Sequence, residues 1–123
     1  MRYEPLLVRY FPTGDTGPVR DFLHGLMGDP NRRAAAAKLE ADIRALAEGW
    51  PITLRADVKT LRGLEPLREL RRLHGKIAYR IVFAVRGKEL WLLSAFEKKS
   101  KKTPASELAK AESRFKSLPP EER

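Results

Sequence analysis

From Val58 onward the apolar residues recur with a period of two, and a glycine followed by a lysine cuts the run twice, at Gly75-Lys76 and Gly87-Lys88. Period two sends alternate side chains to opposite faces of a strand. Short glycine-bearing connections join antiparallel neighbours. Strands are therefore predicted over residues 58–61, 67–73, 78–85 and 90–96, with hairpins at the two Gly-Lys pairs.

The first half reads differently. Leu6 to Phe11 is an aliphatic and aromatic run stopped by Pro12 and Gly14, which predicts a strand. Pro18 opens a helix whose Val19, Phe22, Leu23, Leu26 and Met27 share one face, closed by Gly28. Asp29 and Pro30 are read as the N-cap and first residue of a second helix, with Leu39, Ile43 and Leu46 inward and its end at Gly49 and Pro51. Thr103 is read as the N-cap of a last helix, with Pro104 in its first turn and Leu108, Ala111, Phe115 and Leu118 as its apolar stripe. Two helices, a meander and a final helix make an α+β protein. A chain of 123 residues is the size of one domain, taken here as residues 1–123.

Several classes of function drop out. Without cysteine there is no disulfide and no thiolate chemistry. No apolar run reaches the roughly 18 residues of a membrane span. Met1 to Tyr10 does not have the layout of a signal peptide, so a cytoplasmic protein with no membrane partner is expected. His24 reads as a helix-surface residue and His74 as a turn residue, and their spacing suits no metal, so none is expected. No nucleotide-binding glycine loop is present, and no cofactor is expected.

The net charge of +9 is confined to one stretch. Residues 55–103 hold 14 Lys and Arg against five Asp and Glu, and the rest of the chain balances. Charge concentrated in one structural unit favours a polyanionic partner. With Gly75-Lys76 as the turn, Arg71 lies opposite Arg80. Like charges so placed cost about 0.2–1 kcal/mol, unless a phosphate sits between them or Glu69 pairs with one. With Gly87-Lys88 as the next turn, Lys98 lies opposite Ile77 and Phe96 opposite Tyr79. Arg71, Arg80, Lys98 and Lys99 would then surround one phosphate, with Tyr79 beside it.

The stretches Val58-Lys59-Thr60-Leu61, Glu69-Leu70-Arg71, Tyr79-Arg80-Ile81-Val82-Phe83 and Leu92-Leu93-Ser94-Ala95-Phe96-Glu97-Lys98-Lys99, followed by Lys102-Thr103-Pro104, resemble the RelE/ParE toxin superfamily in its phage-derived HigB-like branch. The resemblance spans residues 55–116. It implies a RelE-like fold and a toxin that cuts messenger RNA, often on the ribosome, held in check by a helix-turn-helix antitoxin. The implied chemistry is metal-independent attack of a ribose 2′-hydroxyl on the adjacent phosphate. Arg71, Arg80, Lys98 and Lys99 would be the catalytic set. Arg68, Arg72, Lys76, Tyr79, Lys101 and Lys102 would contact the RNA. Relatives often carry a histidine where this chain has Ser94, so a lysine would have to move the proton or activity would be lower. The superfamily also contains gyrase poisons, and the same basic face would serve a non-catalytic module that binds RNA or the ribosome.

Overall fold

The computed structural model describes residues 4–51, 55–98 and 103–120. Its elements run β1 (Leu7–Tyr10), α1 (Pro18–Met27), α2 (Arg33–Glu48), β2 (Ala56–Thr60), β3 (Arg68–His74), β4 (Ile77–Arg86), β5 (Glu89–Lys98) and α3 (Ala105–Lys116). The strands form one sheet in the order β1-β5-β4-β3-β2. β1 runs parallel to β5 and every other pair is antiparallel. This is the α+β architecture expected from the sequence.

The period of two sorts the strand side chains into two cores. Leu70, Tyr79, Ile81, Phe83, Leu90 and Leu92 pack with α1 and α2 on one face. Val82, Ala84, Trp91, Leu93 and Phe96 pack with Ala111, Leu108 and Phe115 of α3 on the other. Val19, Leu23 and Leu26 supply the buried stripe of α1, whereas Met27, expected on that stripe, is exposed.

Two helix starts differ from the sequence reading. The Asp29 side chain accepts the Asn31 amide and its carbonyl accepts the Arg32 and Arg33 amides. Asp29 thus closes a separate turn, and α2 begins only at Arg33. Pro104, not Thr103, is the N-cap of α3. The Thr103 hydroxyl goes instead to Glu69 Oε2, at 2.7 Å, because that buried carboxylate needs a donor.

The hairpin glycines Gly75 and Gly87 have φ of 63° and 61°, a region that residues with a Cβ rarely occupy. The first turn sets the register expected, with Arg71 opposite Arg80. The second does so only as far as Phe83 opposite Leu92. There β5 carries one extra residue, and the pairing resumes with Val82 opposite Ser94. Phe96 therefore faces Arg80 rather than Tyr79, and Lys98 faces Ala78 rather than Ile77.

A β-bulge leaves its extra residue outside the ladder and reverses the facing of all that follows. Here it keeps both Leu93 and Ser94 on the α3 side. Two side chains of α3 hold it. Arg114 Nη1 donates to the Leu93 carbonyl at 2.6 Å, and Ser94 Oγ donates to Glu107 Oε1 at 2.8 Å.

Across the sheet, Arg72 of β3 forms a two-pronged ion pair with Asp42 of α2, Nε to Oδ2 at 2.8 Å and Nη2 to Oδ1 at 2.5 Å. Both groups are buried. Removing one partner strands the other charge, so Asp42→Ala is expected to cost about 3–5 kcal/mol in urea denaturation. An apolar pair, Asp42→Leu with Arg72→Met, should recover most of that loss. Arg114→Ala is expected to cost about 1–3 kcal/mol by leaving the Leu93 carbonyl without its donor. Amide exchange should then speed up in β5 beyond Leu93 more than before it. Equal protection on both sides would show that the bulge stands without α3.

Candidate functional site

On the α3 face, the register aligns side chains in rows across the strands. One row runs Asp57, Arg71, Arg80 and Phe96, from β2 to β5. The adjacent row runs Lys59, Glu69, Val82 and Ser94. Lys98 lies two residues beyond Phe96 on the same face, where the bulge has put it. Four cations from four strands and two carboxylates thus share one end of the face, beside the start of α3.

The arginine pair is relieved by acids on either side. Arg71 donates Nε to Asp57 Oδ1 at 2.6 Å and Nη2 to Oδ2 at 2.5 Å. Arg80 Nε lies 3.6 Å from Glu69 Oε1, an ionic contact beyond hydrogen-bond reach, and this buried nitrogen has no hydrogen-bond partner among the described residues. Glu69 is 2% exposed and Arg80 keeps 13% of its side chain exposed. Thr103 completes the chain of contacts and ties the entry of α3 to the sheet. A cleft of about 270 Å³ opens between Lys59, Leu61, Glu69, Arg71, Lys98 and Leu108, with Thr103 on its wall.

The groups shift one another's protonation in consistent directions. The bond from Arg71 holds the Asp57 carboxyl below its usual range, and the same bond raises Arg71. Burial lowers Arg80, opposed by Glu69 and reinforced by Arg71. Loss of solvent lowers Lys98, and the positive charge of Arg80 lowers it further. Clustered cations with displaced pKa values in a cleft are suited to binding an oxyanion and to giving up a proton.

Of the residues expected at the site, Arg71, Arg80 and Lys98 come together. Lys99, Lys101 and Lys102 lie outside the described residues. Tyr79 does not reach the cleft, because it is 1% exposed in the core with α1 and α2. Arg72, next in sequence to Arg71, points to that same opposite face and is held by Asp42. Arg68, exposed, lies over the Phe83 ring at 5.8 Å, again away from the cleft. Lys76 sits in the exposed hairpin turn. Ser94 is buried, and its hydroxyl is committed to Glu107.

Asp57 was not named from sequence, and Lys59 and Thr103 were named within the resembling stretches but not as site residues. Their signal was alternation within β2, where Asp57 and Lys59 are separated by Val58, which packs against the α1 and α2 core. Among the described residues, no group of three or more His, Asp or Glu side chains is placed to hold a metal. None of the described helices is long and apolar enough to cross a membrane.

The family model described as phage-derived protein Gp49-like (DUF891) matches residues 30–116, a span that includes α2, the strands of the cleft and α3. No curated protein and no solved structure matches the chain at a significant level.

The lowered pKa of Lys98 has a definite sign. Its ammonium loses its proton, and with it its attraction for an anion, at lower pH than an ordinary lysine. An NMR titration of the Lys98 side chain should give a midpoint below 10.5. Arg80→Gln should raise that midpoint. A midpoint at or above 10.5 would mean that neither loss of solvent nor Arg80 governs this amine.

Proposed function

Because the chain belongs to the Gp49-like family of phage-derived proteins, a family of the RelE toxin type, we propose that it is the toxin of a toxin–antitoxin pair and cuts messenger RNA at the ribosome. The observation that carries this reading is the clustering of Lys59, Arg71 and Lys98 along one cleft, with Arg80 beside Arg71 on the same face, against Asp57 and Glu69 among the described residues. Family membership implies a cognate antitoxin, which we take to be a helix-turn-helix protein. The chain acts as one domain, in the cytoplasm.

In this reading the ribose 2′-oxygen attacks the neighbouring phosphorus and the bond to the 5′-oxygen breaks. A 2′,3′-cyclic phosphate and a 5′-hydroxyl result, with no metal in the step. Negative charge grows on the phosphorane oxygens as the new bond forms. Arg80, pre-placed by its burial and by Glu69, stabilises that charge with little reorganisation. Arg71, oriented by Asp57, holds the phosphate in place. Lys98 donates a proton to the departing 5′-oxygen, a role its lowered pKa favours, while the 2′-hydroxyl proton passes to solvent. Ser94 does not replace the histidine of relatives, because its hydroxyl is occupied. Lys99, Lys101 and Lys102 follow Lys98 in sequence, and in this reading their positive charge serves the RNA as well.

Arg80→Ala is expected to reduce cleavage, read as new RNA 5′ ends after induction, by about 10²–10³. It also removes the cation from buried Glu69, so a stability loss of about 1–3 kcal/mol is expected. The like-charge argument from sequence alone expects unchanged or slightly higher stability; the Glu69 contact reverses that sign. Arg80→Ala combined with Glu69→Gln should regain stability without regaining cleavage. Cleavage at the parent rate in either variant would remove Arg80 from the chemistry.

A further inference from the structure

The catalytic cleft does not end at Leu108. It shares Lys59, Leu61 and Leu108 with a larger groove of about 510 Å³ that continues past Thr60 to Arg62 and Leu64. The two ends of this trough differ in chemistry. The Lys98 end is polar and cationic. The far end has an apolar floor, with Leu61 buried and Leu64 and Leu108 half-buried. Lys59 and Arg62, both exposed, stand along its rim.

The loop that builds the far end is well fixed. The Leu61 amide donates to the Leu67 carbonyl, Leu64 to Leu61, and Leu67 to Leu64. The Gly63 amide donates to Glu65 Oε1 at 2.9 Å. Leu64 is thereby presented to the groove by a closed set of bonds, which limits the entropy lost when a ligand packs on it.

We propose that this groove is a nucleobase subsite. It takes the base of the nucleotide whose phosphate lies against Lys98 and Arg71. The inference rests on the RNA-cleaving reading and adds to it where the base goes. A nucleotide is anionic at one end and flat and largely apolar on the faces of its base, and the trough has the same polarity. Apolar walls recognise the face of a base rather than its edge pattern, so the subsite favours the larger purines over pyrimidines only modestly and tolerates either.

The test compares two single-stranded RNA oligonucleotides of equal length and charge, each with a 2′-deoxy sugar at the scissile position to block cleavage. One carries a base at the nucleotide in question and the other is abasic there. Binding to the full chain is followed by fluorescence anisotropy. Loss of the base is expected to weaken binding by about tenfold, the order of one base contact. Leu64→Ser should weaken the intact oligonucleotide towards the abasic one while leaving the abasic affinity unchanged. Arg71→Gln should weaken both alike. Because the abasic comparison uses the unaltered protein, it stands even where a variant folds poorly. Equal binding of the two oligonucleotides would overturn the subsite alone and would leave the groove to an apolar side chain of a protein partner. Failure of both to bind would overturn the RNA reading itself.

Discussion

The bulge at Leu93 and Ser94 determines which side chains the end of β5 shares with the arginine pair. Without the extra residue, Lys98 would lie opposite Ile77, on the face occupied by Tyr79 and the α1–α2 core. With it, Lys98 and Phe96 return to the face of Arg80, and Glu97 turns away to an ion pair with Arg32. A one-residue irregularity therefore adds Lys98 to the three cations, Lys59, Arg71 and Arg80, that the other strand pairings already bring to this face. Its two restraints, Arg114 on the Leu93 carbonyl and Glu107 on the Ser94 hydroxyl, both come from α3. The helix is thus more than a cover for the second core, because it fixes the register on which the cleft depends.

The same face shows how a sheet tolerates Arg71 opposite Arg80. Each arginine has its own carboxylate, and the two acids sit in different environments. Asp57 is largely exposed and saturates one edge of Arg71 with two hydrogen bonds. Glu69 is buried, approaches Arg80 without a hydrogen bond, and accepts one from the Thr103 hydroxyl. Arg71 is consequently the better-satisfied guanidinium and Arg80 the less satisfied one. An incoming oxyanion gains most where the donor has least to give up, and this difference distinguishes a positioning arginine from one that meets developing charge.

How far the sequence revealed this depends on how local each constraint was. The tight turn at Gly75 fixed the register of β3 and β4, so the Arg71–Arg80 pair was legible. The position of Lys98 was not, because nothing in Leu92-Leu93-Ser94-Ala95 marks an extra residue and the two bonds that hold it come from a helix further along the chain. Asp57 and Lys59 were hidden because the connection over residues 61–67 is an irregular loop that sets no register by count. Tyr79 was legible in principle. It alternates with Arg80 in step with Ile81 and Phe83, so period two alone places it in the core. Arg72 had a signal too. Asp42 falls among Leu39, Ile43 and Leu46 on the inward stripe of α2, and an acid there requires a basic partner.

That last pair changes the meaning of the net charge. Arg71 and Arg72 are adjacent in sequence, yet the pleat sends one to an open cleft and the other to a buried ion pair. Arg9 and Arg86 likewise lie near Glu89 at the far end of the sheet, beside the Trp91 ring. Arg72 and Arg86 of residues 55–103 are therefore engaged in holding the sheet, and the cluster at the cleft carries an excess of two among its described residues, from Lys59, Arg71, Arg80 and Lys98 against Asp57 and Glu69. An excess that small does not make an indiscriminate polyanion sink. Selectivity for one phosphate must then come from where the donors stand, which is what the bulge, the two carboxylates and Thr103 fix in place.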